Sequence, residues 1–478
     1  AFFWISTGLD PAVDYDGWVL SRLGAGESLL RLNDSLEIEG AIADTWKNED
    51  ALTWSFHIRD GLLFSDGTAV DAQAVKASLE RSIQLNDRAA EYLMVDEILA
   101  EGQDLTIKTT EPNAALANNI VEPVFNIIRT DMTDEEISAC PVATGPYKIE
   151  AFAPEQSVIL VPNPCYRDGE PGFDRIEVVQ IADADARAMA LQSGEIDLTN
   201  TIDNTSVKLF ANTDKYVVSS IISPRVNVAY MNNAPSSPLG DKNLRLAVSL
   251  SVNREAYAAL IGGSPAHSAY SDATPFGNET ISALSYDMQA AVRILDENGY
   301  KDTDGDGFRE MPDGTRLHLR FLQAADHGSA DSAILATAVQ SDLKAVGIDM
   351  EIMAVENLSD YQTQGDFDFY TANDNSAPTG DPLVWLETMY TGLGTSGKKN
   401  LTGFQNDRID EIVETLKGNF KMEERYALAA EASQVLNDEA ASLFLTNSYL
   451  NMVGSSRLVN VRQSVCDYYF IQKDMTVR

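Results

Sequence analysis

The stretch Asp366–Trp385 carries residues of the types that bind charged or polar ligands. Phe367 and Phe369 alternate with polar residues, which predicts a strand with one apolar face. A polar loop is predicted next, because two prolines and a glycine interrupt regular structure, and an apolar helix over Leu383–Tyr390 follows. A loop between a strand and a helix is a common ligand site in α/β sheets, and a solvated surface loop is the alternative. The candidate ligand-binding residues of this stretch are Asn373, Asp374, Asp381 and Trp385.

Catalytic motifs are missing from the sequence. It contains no G-x-S-x-G and no H-E-x-x-H, and its four histidines are dispersed along the chain. Acidic residues are so numerous that no pair stands out as an acid and base couple. Catalysis therefore has little support in the sequence, and a hydrolase is a weak alternative.

One acidic segment has the spacing of a calcium loop. Asp302, Asp304 and Asp306 occupy the first, third and fifth positions of an EF-hand pattern, and Gly307 occupies the sixth. The twelfth position is Asp313 rather than the bidentate glutamate, and a strand rather than a helix is predicted to follow. We therefore weigh a structural calcium ion against a calcium-free polar turn, and no other cofactor is expected.

Composition excludes several classes of partner. The chain has 478 residues, with 73 acidic and 35 basic side chains and a formal net charge of −38. This charge argues against nucleic acid and against anionic membranes. No apolar run reaches the roughly 20 residues that span a bilayer. Ala1–Leu9 is interpreted as the first strand of a processed protein. Of three cysteines, Cys140 and Cys165 flank a predicted hairpin, and they are either bridged or free thiols.

The first part of the chain offers a second group of candidates. Asp10–Leu32 predicts a turn followed by an amphipathic helix, and Asp14, Tyr15 and Trp18 lie at their junction. Aromatic and acidic residues there suit a ligand cleft, and a helix cap with a core tryptophan is the alternative. Ala51–Thr68 predicts a hairpin that turns at Asp60 and Gly61.

Several segments in a fixed order carry a resemblance to a known family. They include the pattern of Leu52–Thr68, the run Thr144–Tyr147 and, most specifically, RAMALQSGEIDL at Arg187–Leu198. Downstream, Arg245–Glu255 and Gln340–Ile348 also fit. With these pieces the chain resembles, over nearly its whole length, the extracellular solute-binding proteins of family 5, the peptide and nickel class of ATP-driven importers.

The resemblance implies a two-lobed α/β fold of the periplasmic-binding-protein type (type II, cluster C) with hinged closure. Lobe one is expected to comprise 1–38, 144–231 and 451–478, with an inserted subdomain over 39–143, and lobe two to span 232–450. A monomer is implied that binds its ligand between the lobes and delivers it to a membrane permease with a separate ATPase. Its location is expected to be extracytoplasmic, either periplasmic or lipid-anchored.

The resemblance also implies ligand contacts. Family peptide binders hold the peptide amine with an aspartate of the matching loop, so Asp374 is the first candidate and Asp381 the second; an Asx-turn is the alternative for Asp374. Receptors for nickel or other metal chelates are the second reading. They carry loop aromatics that this chain lacks. They also place a cleft arginine where Asn126 aligns, so Asn126 is a further candidate ligand contact. Arg88 and Arg129 are candidates for a ligand carboxylate, with surface ion pairs as the alternative.

Overall fold

The computed structural model describes residues 1–276, 278–325, 330–392 and 400–478. They form two compact units. The first comprises Ala1–Ile221, Pro378–Asp381 and Tyr449–Arg478, and the second comprises Ile222–Ala377 and Pro382–Ser448. The unit boundaries lie at 221/222, 377/378, 381/382 and 448/449. The lobe boundaries expected from the resemblance were 231/232 and 450/451. No helix in the described residues has the length and apolar character needed to cross a membrane.

The first unit is built mainly from short antiparallel sheets. Its elements up to residue 200 are α1 (Asp16–Arg22), β1 (Leu30–Leu32), β2 (Ile38–Gly40), β3 (Ala43–Asp50), β4 (Thr53–Ile58), α2 (Ala72–Leu85), α3 (Asp87–Leu93), β5 (Val95–Glu101), β6 (Asp104–Thr109), α4 (Leu116–Asn119), α5 (Asp134–Ala139), β7 (Tyr147–Ala153), β8 (Ser157–Pro162), β9 (Ile176–Val179), α6 (Ala184–Ser193) and β10 (Leu198–Asn200). The strands pair in the orders β3-β4-β6-β5, β7-β8-β9 and β1-β2.

Three predictions for the first unit are wrong. Ala1–Leu9 is not a strand and forms only one isolated bridge, between Phe2 and Gln180. The helix predicted to reach Leu32 ends at Arg22, because Gly24 adopts a left-handed backbone conformation and the leucines that follow pair as β1 with β2. The hairpin predicted around Asp60 is absent. Its first strand, β4, instead pairs with β3 on one side and β6 on the other, and both pairings are antiparallel. The β7–β8 hairpin confirms the hairpin predicted between Cys140 and Cys165.

The second unit contains the longer strands and helices. Its elements are α7 (Lys242–Ser251), α8 (Arg254–Ile261), β12 (Ser264–Pro265), α9 (Met288–Glu297), β13 (His318–Ala324), α10 (Ala330–Ala345), β14 (Asp349–Val355), α11 (Leu358–Gln364), β15 (Phe369–Asn375), α12 (Leu383–Tyr390), α13 (Asp407–Gly418) and α14 (Met422–Asp438). β11 (Tyr216–Met231) and β16 (Ser442–Ser455) each begin in one unit and end in the other, and β17 (Leu458–Val459) and β18 (Thr476–Val477) complete the first unit.

The sheet of the second unit places the predicted ligand-binding residues. β13 pairs in parallel with β14 and β15, and β15 pairs antiparallel with β11, so that Val226 faces Asp374 and Met231 faces Phe369. Leucine, valine and aromatic side chains of α7, α9, α10 and β13 form the core. This packing is strongly apolar, since most of these side chains are fully buried and removed from water.

The stretch Asp366–Trp385 follows the sequence analysis only in part. Helix α12 confirms the prediction of a helix over Leu383–Tyr390. The predicted loop is partly wrong, because Asn373 and Asp374 continue strand β15 and are paired with β11. All three cysteines lie in the described residues, and each is a free thiol.

Candidate functional site

Strand β15 holds Asp374 beside a tyrosine of strand β11. Tyr230 and Tyr370 are opposite each other in the ladder, with ring centroids 5.0 Å apart. Asp374 lies four residues beyond Tyr370, and side chains an even number of residues apart share one face of a strand. The Tyr230 hydroxyl donates a short hydrogen bond to Oδ2 of Asp374. The pairing of the two strands therefore fixes the position of this carboxylate.

Aromatic side chains surround the Asp374 carboxylate; we call Asp374, Tyr230, Tyr370, Trp385 and Tyr390 the Asp374 cluster. The ring centroid of Tyr390 lies 6.3 Å from that of Tyr230 and 5.3 Å from that of Trp385. The four aromatic residues are buried, while Asp374 is partly exposed. The Asp374 side chain thus lies against a surface of buried aromatic rings.

The electrostatics of the Asp374 cluster are set by burial. Burial raises the pKa of Asp374 above its ordinary value, against the hydrogen bond from Tyr230, the charge of Arg225 and the indole N–H of Trp385, which lower it. Burial also raises the pKa values of Tyr230 and Tyr390, so both hydroxyls stay neutral at physiological pH. Within the described part of the chain, Asp374 forms no ion pair.

The other candidates from Asp366–Trp385 are either hydrogen-bonded within the protein or buried. The Asn373 side-chain amide donates to Oδ1 of Asn227 at 2.7 Å and to Oγ of Ser448 at 2.6 Å. Asp381 is fully buried, and Trp385 packs against Tyr390 with 6% of its surface exposed. Their roles in ligand binding stay predictions.

A second group of candidates assembles in the first unit; we call Tyr15, Trp18, Arg88, Glu122 and Tyr468 the Trp18 cluster. Helix α1 presents Trp18, whose ring centroid lies 5.7 Å from that of Tyr15 and 4.9 Å from that of Tyr468, both edge to face. The guanidinium carbon of Arg88 lies 4.2 Å from the Tyr15 ring centroid, which is a cation–π geometry.

Glu122 is a functional candidate that the sequence analysis missed. Its Oε1 accepts a hydrogen bond from Trp18 Nε1 at 2.7 Å and lies 3.4 Å from Arg88 Nε, while Oε2 accepts from the backbone N–H of Val124 at 2.6 Å. The side chain is 2% exposed. The available signal was one acidic residue inside the apolar run 120–128, because a carboxylate is seldom buried without partners.

Arg88 keeps its charge in this setting. Burial lowers the pKa of Arg88, but Glu122 and neighbouring tyrosines raise it by more, and the net shift is upward. Its Nη2 donates to the backbone carbonyl of Asp14 at 2.8 Å. Asp14, an exposed residue in a left-handed backbone conformation, therefore contributes its carbonyl rather than its carboxylate to Arg88.

Asn126 and Arg129 have other partners. The amide nitrogen of Asn126 donates to Oγ of Ser21 at 2.9 Å and to the carbonyl of Gly17 at 3.1 Å, and the residue is 1% exposed. Arg129 pairs with Asp66 and Asp131, as the surface alternative expected. Neither arrangement tests a ligand contact, which stays a prediction for both.

The acidic segment of the second unit gathers three carboxylates. Ligand oxygens of Asp302, Asp304 and Glu310 lie within 4.8 Å of one another. Asp306, which the spacing had included, instead accepts a hydrogen bond from Arg316 Nη1 at 3.0 Å. The EF-hand spacing does not include Glu310. This residue comes close to Asp302 and Asp304 because the chain folds back after Gly307 and Glu310 pairs with Lys301. Hard carboxylate oxygens suit calcium, so the residues present fit such an ion, and its binding stays a proposal.

The chain with these two α/β units matches a known family of binding proteins. A family model described as bacterial extracellular solute-binding proteins, family 5 middle, matches residues 37–397. The chain therefore belongs to family 5 of the bacterial extracellular solute-binding proteins.

Similar proteins are named for different ligands. It is 24% identical to the nickel-binding protein NikA of Staphylococcus aureus over 467 residues, which is 97% of this chain and 91% of that one. It is 27% identical to the probable D,D-dipeptide-binding periplasmic protein DdpA of Escherichia coli over 462 residues, which is 91% of this chain and 86% of that one.

Solved structures confirm the fold. The nickel ABC transporter structure from Bacillus halodurans is similar with a TM-score of 0.82 and 27% identity, over 100% of this chain and 98% of that one. NikA from Brucella suis, in complex with Fe(III)-EDTA, is similar with a TM-score of 0.88 and 23% identity, over 99% and 98%. The predicted two-lobed family fold is therefore correct.

Proposed function

We propose that the chain is the substrate-binding receptor of an ABC importer and captures a short peptide or a peptide-like ligand. Membership of family 5 supports the receptor role. Asp374 supports the ligand class: it is a half-buried residue whose carboxylate lies against aromatic rings and forms no ion pair in the described residues.

A charged group that is buried without a charged partner loses the solvation it has in water. Burial raises the pKa of Asp374, which means that its ionised form is under-solvated. A ligand ammonium would supply charge-assisted hydrogen bonds to the carboxylate and return part of that lost solvation. A neutral ligand group would not do so, and a ligand carboxylate would be repelled. The Asp374 cluster is therefore matched to the free amino terminus of a peptide.

The Trp18 cluster is matched to a negative ligand group. A guanidinium has five N–H donors, and Arg88 directs one of its Nη2 donors at the Asp14 carbonyl. Glu122 offsets much of the Arg88 charge at 3.4 Å. We infer that a peptide carboxylate binds Arg88 less strongly than the amino terminus binds Asp374.

Thermal unfolding with and without ligand tests the proposal. A ligand that binds only the native state raises the midpoint in proportion to the logarithm of its concentration. We expect a rise with an equimolar mixture of di- to pentapeptides and a smaller rise with the same peptides acetylated at the amino terminus. An absence of any rise with the free peptides rejects the peptide proposal.

A metal chelate is the second candidate ligand. It is supported by the nickel-binding relatives, of which NikA of S. aureus has a structure in complex with Ni(L-His)2. The same unfolding assay separates the candidates when it includes nickel alone, histidine alone and both together. A rise only with nickel and histidine together favours the chelate over the peptide.

The oligomeric state, the location and the transport partners of the receptor are also part of the proposal. We infer that the receptor works as a monomer outside the cytoplasm, either free in the periplasm or held by a lipid anchor, and delivers its ligand to a permease with a separate ATPase. The family description as extracellular supports that location. The relatives are named as binding proteins, which supports a receptor rather than a hydrolase.

A further inference from the structure

We propose that the Tyr230 hydroxyl is a positioning group that keeps Asp374 ionised and oriented, and thereby sets the lowest pH at which the receptor captures its ligand. This inference rests on the proposed binding of a ligand ammonium by Asp374. It adds a second residue to the site and a dependence on pH that the proposed function does not contain.

The Tyr230 ring is held from two sides. It is fully buried, with ring centroids 5.0 Å from Tyr370 and 6.3 Å from Tyr390. Closely packed interiors permit little movement of such a ring, so its hydroxyl has a fixed direction. That hydroxyl donates to Oδ2 of Asp374. The Tyr230 pKa is raised well above its ordinary value, so the proton stays on the phenol and the group remains a donor.

The charges that face Asp374 come from three elements. β11 contributes Arg225 and Tyr230, β15 contributes Tyr370, and α12 contributes Tyr390. The three tyrosines are neutral, because burial raises their pKa values, and Arg225 alone carries a charge. Arg225 Nη1 also donates to the backbone carbonyl of Asn373 at 2.9 Å. The hydrogen bond from Tyr230 is thus the principal contact that favours the ionised carboxylate against burial.

Without this hydroxyl, the Asp374 carboxyl group stays buried but loses the hydrogen-bond donor that stabilises its ionised form. The carboxyl group then accepts a proton at a higher pH, because a hydrogen bond to the charged form no longer competes with desolvation. A protonated carboxyl has no charge to attract an ammonium. Ligand capture is consequently lost at a pH where the unmodified receptor still binds.

Tyr230→Phe tests the inference because it removes one oxygen atom and keeps the ring. Trialanine affinity is measured by calorimetry from pH 5 to pH 8. We expect binding within about three-fold of the unmodified receptor at pH 8 and weaker by about ten-fold at pH 5.5, the scale of a hydrogen bond to a charged group. Equal weakening at every pH, or an unchanged profile, overturns the proposal.

A matched control exists in the same unit. The Tyr257 hydroxyl donates to Oδ2 of Asp342 at 2.6 Å, so Tyr257→Phe removes the same kind of bond without touching the Asp374 cluster. We expect this variant to lower thermal stability and to leave the pH profile of trialanine binding unchanged. A shift in its profile equal to that of Tyr230→Phe would also reject a specific role for Tyr230.

A ligand-free measurement separates this inference from the proposed function. Carbon NMR follows the side-chain carboxyl of Asp374 through a pH titration, and the Asp374→Asn variant assigns the signal. A higher titration midpoint in Tyr230→Phe supports the positioning role even if no peptide binds, and an unchanged midpoint overturns it. Loss of the proposed function shows separately, as trialanine binding that Asp374→Asn leaves unaltered.

Discussion

The indole N–H of Trp18 donates a hydrogen bond to Oε1 of Glu122 at 2.7 Å, and the same oxygen lies 3.4 Å from Nε of Arg88. One buried carboxylate thus fixes the tryptophan and offsets the arginine. Glu122 is therefore the residue that determines how much positive charge the Trp18 cluster offers to a ligand.

Glu122→Gln tests this balance. The amide oxygen can still accept from Trp18, but Arg88 loses its counter-charge. We expect a loss in the free energy of unfolding of about 2 kcal/mol, since a buried charge is left without its partner. We also expect the variant to prefer trialanine over trialanine amide more strongly than the unmodified receptor does, because only trialanine has a free carboxylate. Urea unfolding and calorimetry measure the two effects. Glu101→Gln, at an exposed position of β5, is the control. An unchanged preference between the two peptides contradicts the role of Glu122.

Asp374→Asn tests the ammonium contact. The substitution keeps the shape of the side chain and removes its charge, so trialanine is expected to bind about 2 kcal/mol, or about thirty-fold, more weakly at pH 7. Binding of acetyl-trialanine, which lacks the charge, is expected to stay as it was. Asp366→Asn serves as the control, because Asp366 is an exposed residue paired with Arg320 at 2.7 Å. Equal effects of the two substitutions would remove Asp374 from the site.

The stretch that holds Asp374 shows what the sequence can predict. Helix α12 was predicted with its observed ends, because an apolar run after a proline is a local signal. The strand before it was placed too early. Its polar residues Asn373 and Asp374 resemble a loop, and their ladder partners lie on β11, far away in the chain. Pairing between distant segments cannot be read from local composition, so the backbone of these two residues was predicted wrongly as a loop.

Buried polar groups were the harder part of the site to predict. Tyr230 reads as one more aromatic residue of a strand, and Glu122 as an isolated charge beside Pro123. Each acquires its role from a partner on another element, Asp374 for one and Trp18 for the other. The family resemblance supplied Asp374 but neither of these supporting residues.

Asp16 makes stability depend on pH. Burial raises the pKa of Asp16 to about 7, helped by the charges of Asp14 and Asp10 and opposed by a hydrogen bond with Ser6. Between about pH 4 and pH 7 the folded state therefore holds a proton that the unfolded state has released. The contribution of Asp16 to the free energy of unfolding consequently falls as pH rises through this window. This contribution is constant below about pH 4 and above about pH 7.

Asp16→Asn removes this dependence. We expect the variant to exceed the unmodified protein in the free energy of unfolding at pH 8 by a few kcal/mol, on the scale of about 1.4 kcal/mol for each pH unit of the window. The difference is expected to shrink towards pH 4. Urea unfolding at pH 4, 6 and 8 measures it. A difference that is the same at all three values contradicts the assignment to Asp16.

Calcium binding by the acidic segment is tested with two substitutions. If the ion binds Asp302, Asp304 and Glu310, millimolar calcium raises the unfolding midpoint, and a chelator reverses the rise. Glu310→Gln is expected to abolish the rise, while Asp306→Asn is expected to keep it, since Asp306 is paired with Arg316. The opposite result would support the EF-hand spacing over the observed cluster, and no rise in the unmodified protein would reject the calcium site.

The chain passes between the two compact units four times, at 221/222, 377/378, 381/382 and 448/449. No single truncation therefore yields a complete unit. A fragment that stops at Ile221 lacks Tyr468 and would expose the face of Trp18 on which that ring packs. A protease cut at 221/222 separates residues 1–221 covalently from the rest of the chain, and only packing such as that of Trp18 on Tyr468 holds them to the last segment of the first unit. Limited proteolysis of this receptor should thus report local cuts without release of a domain.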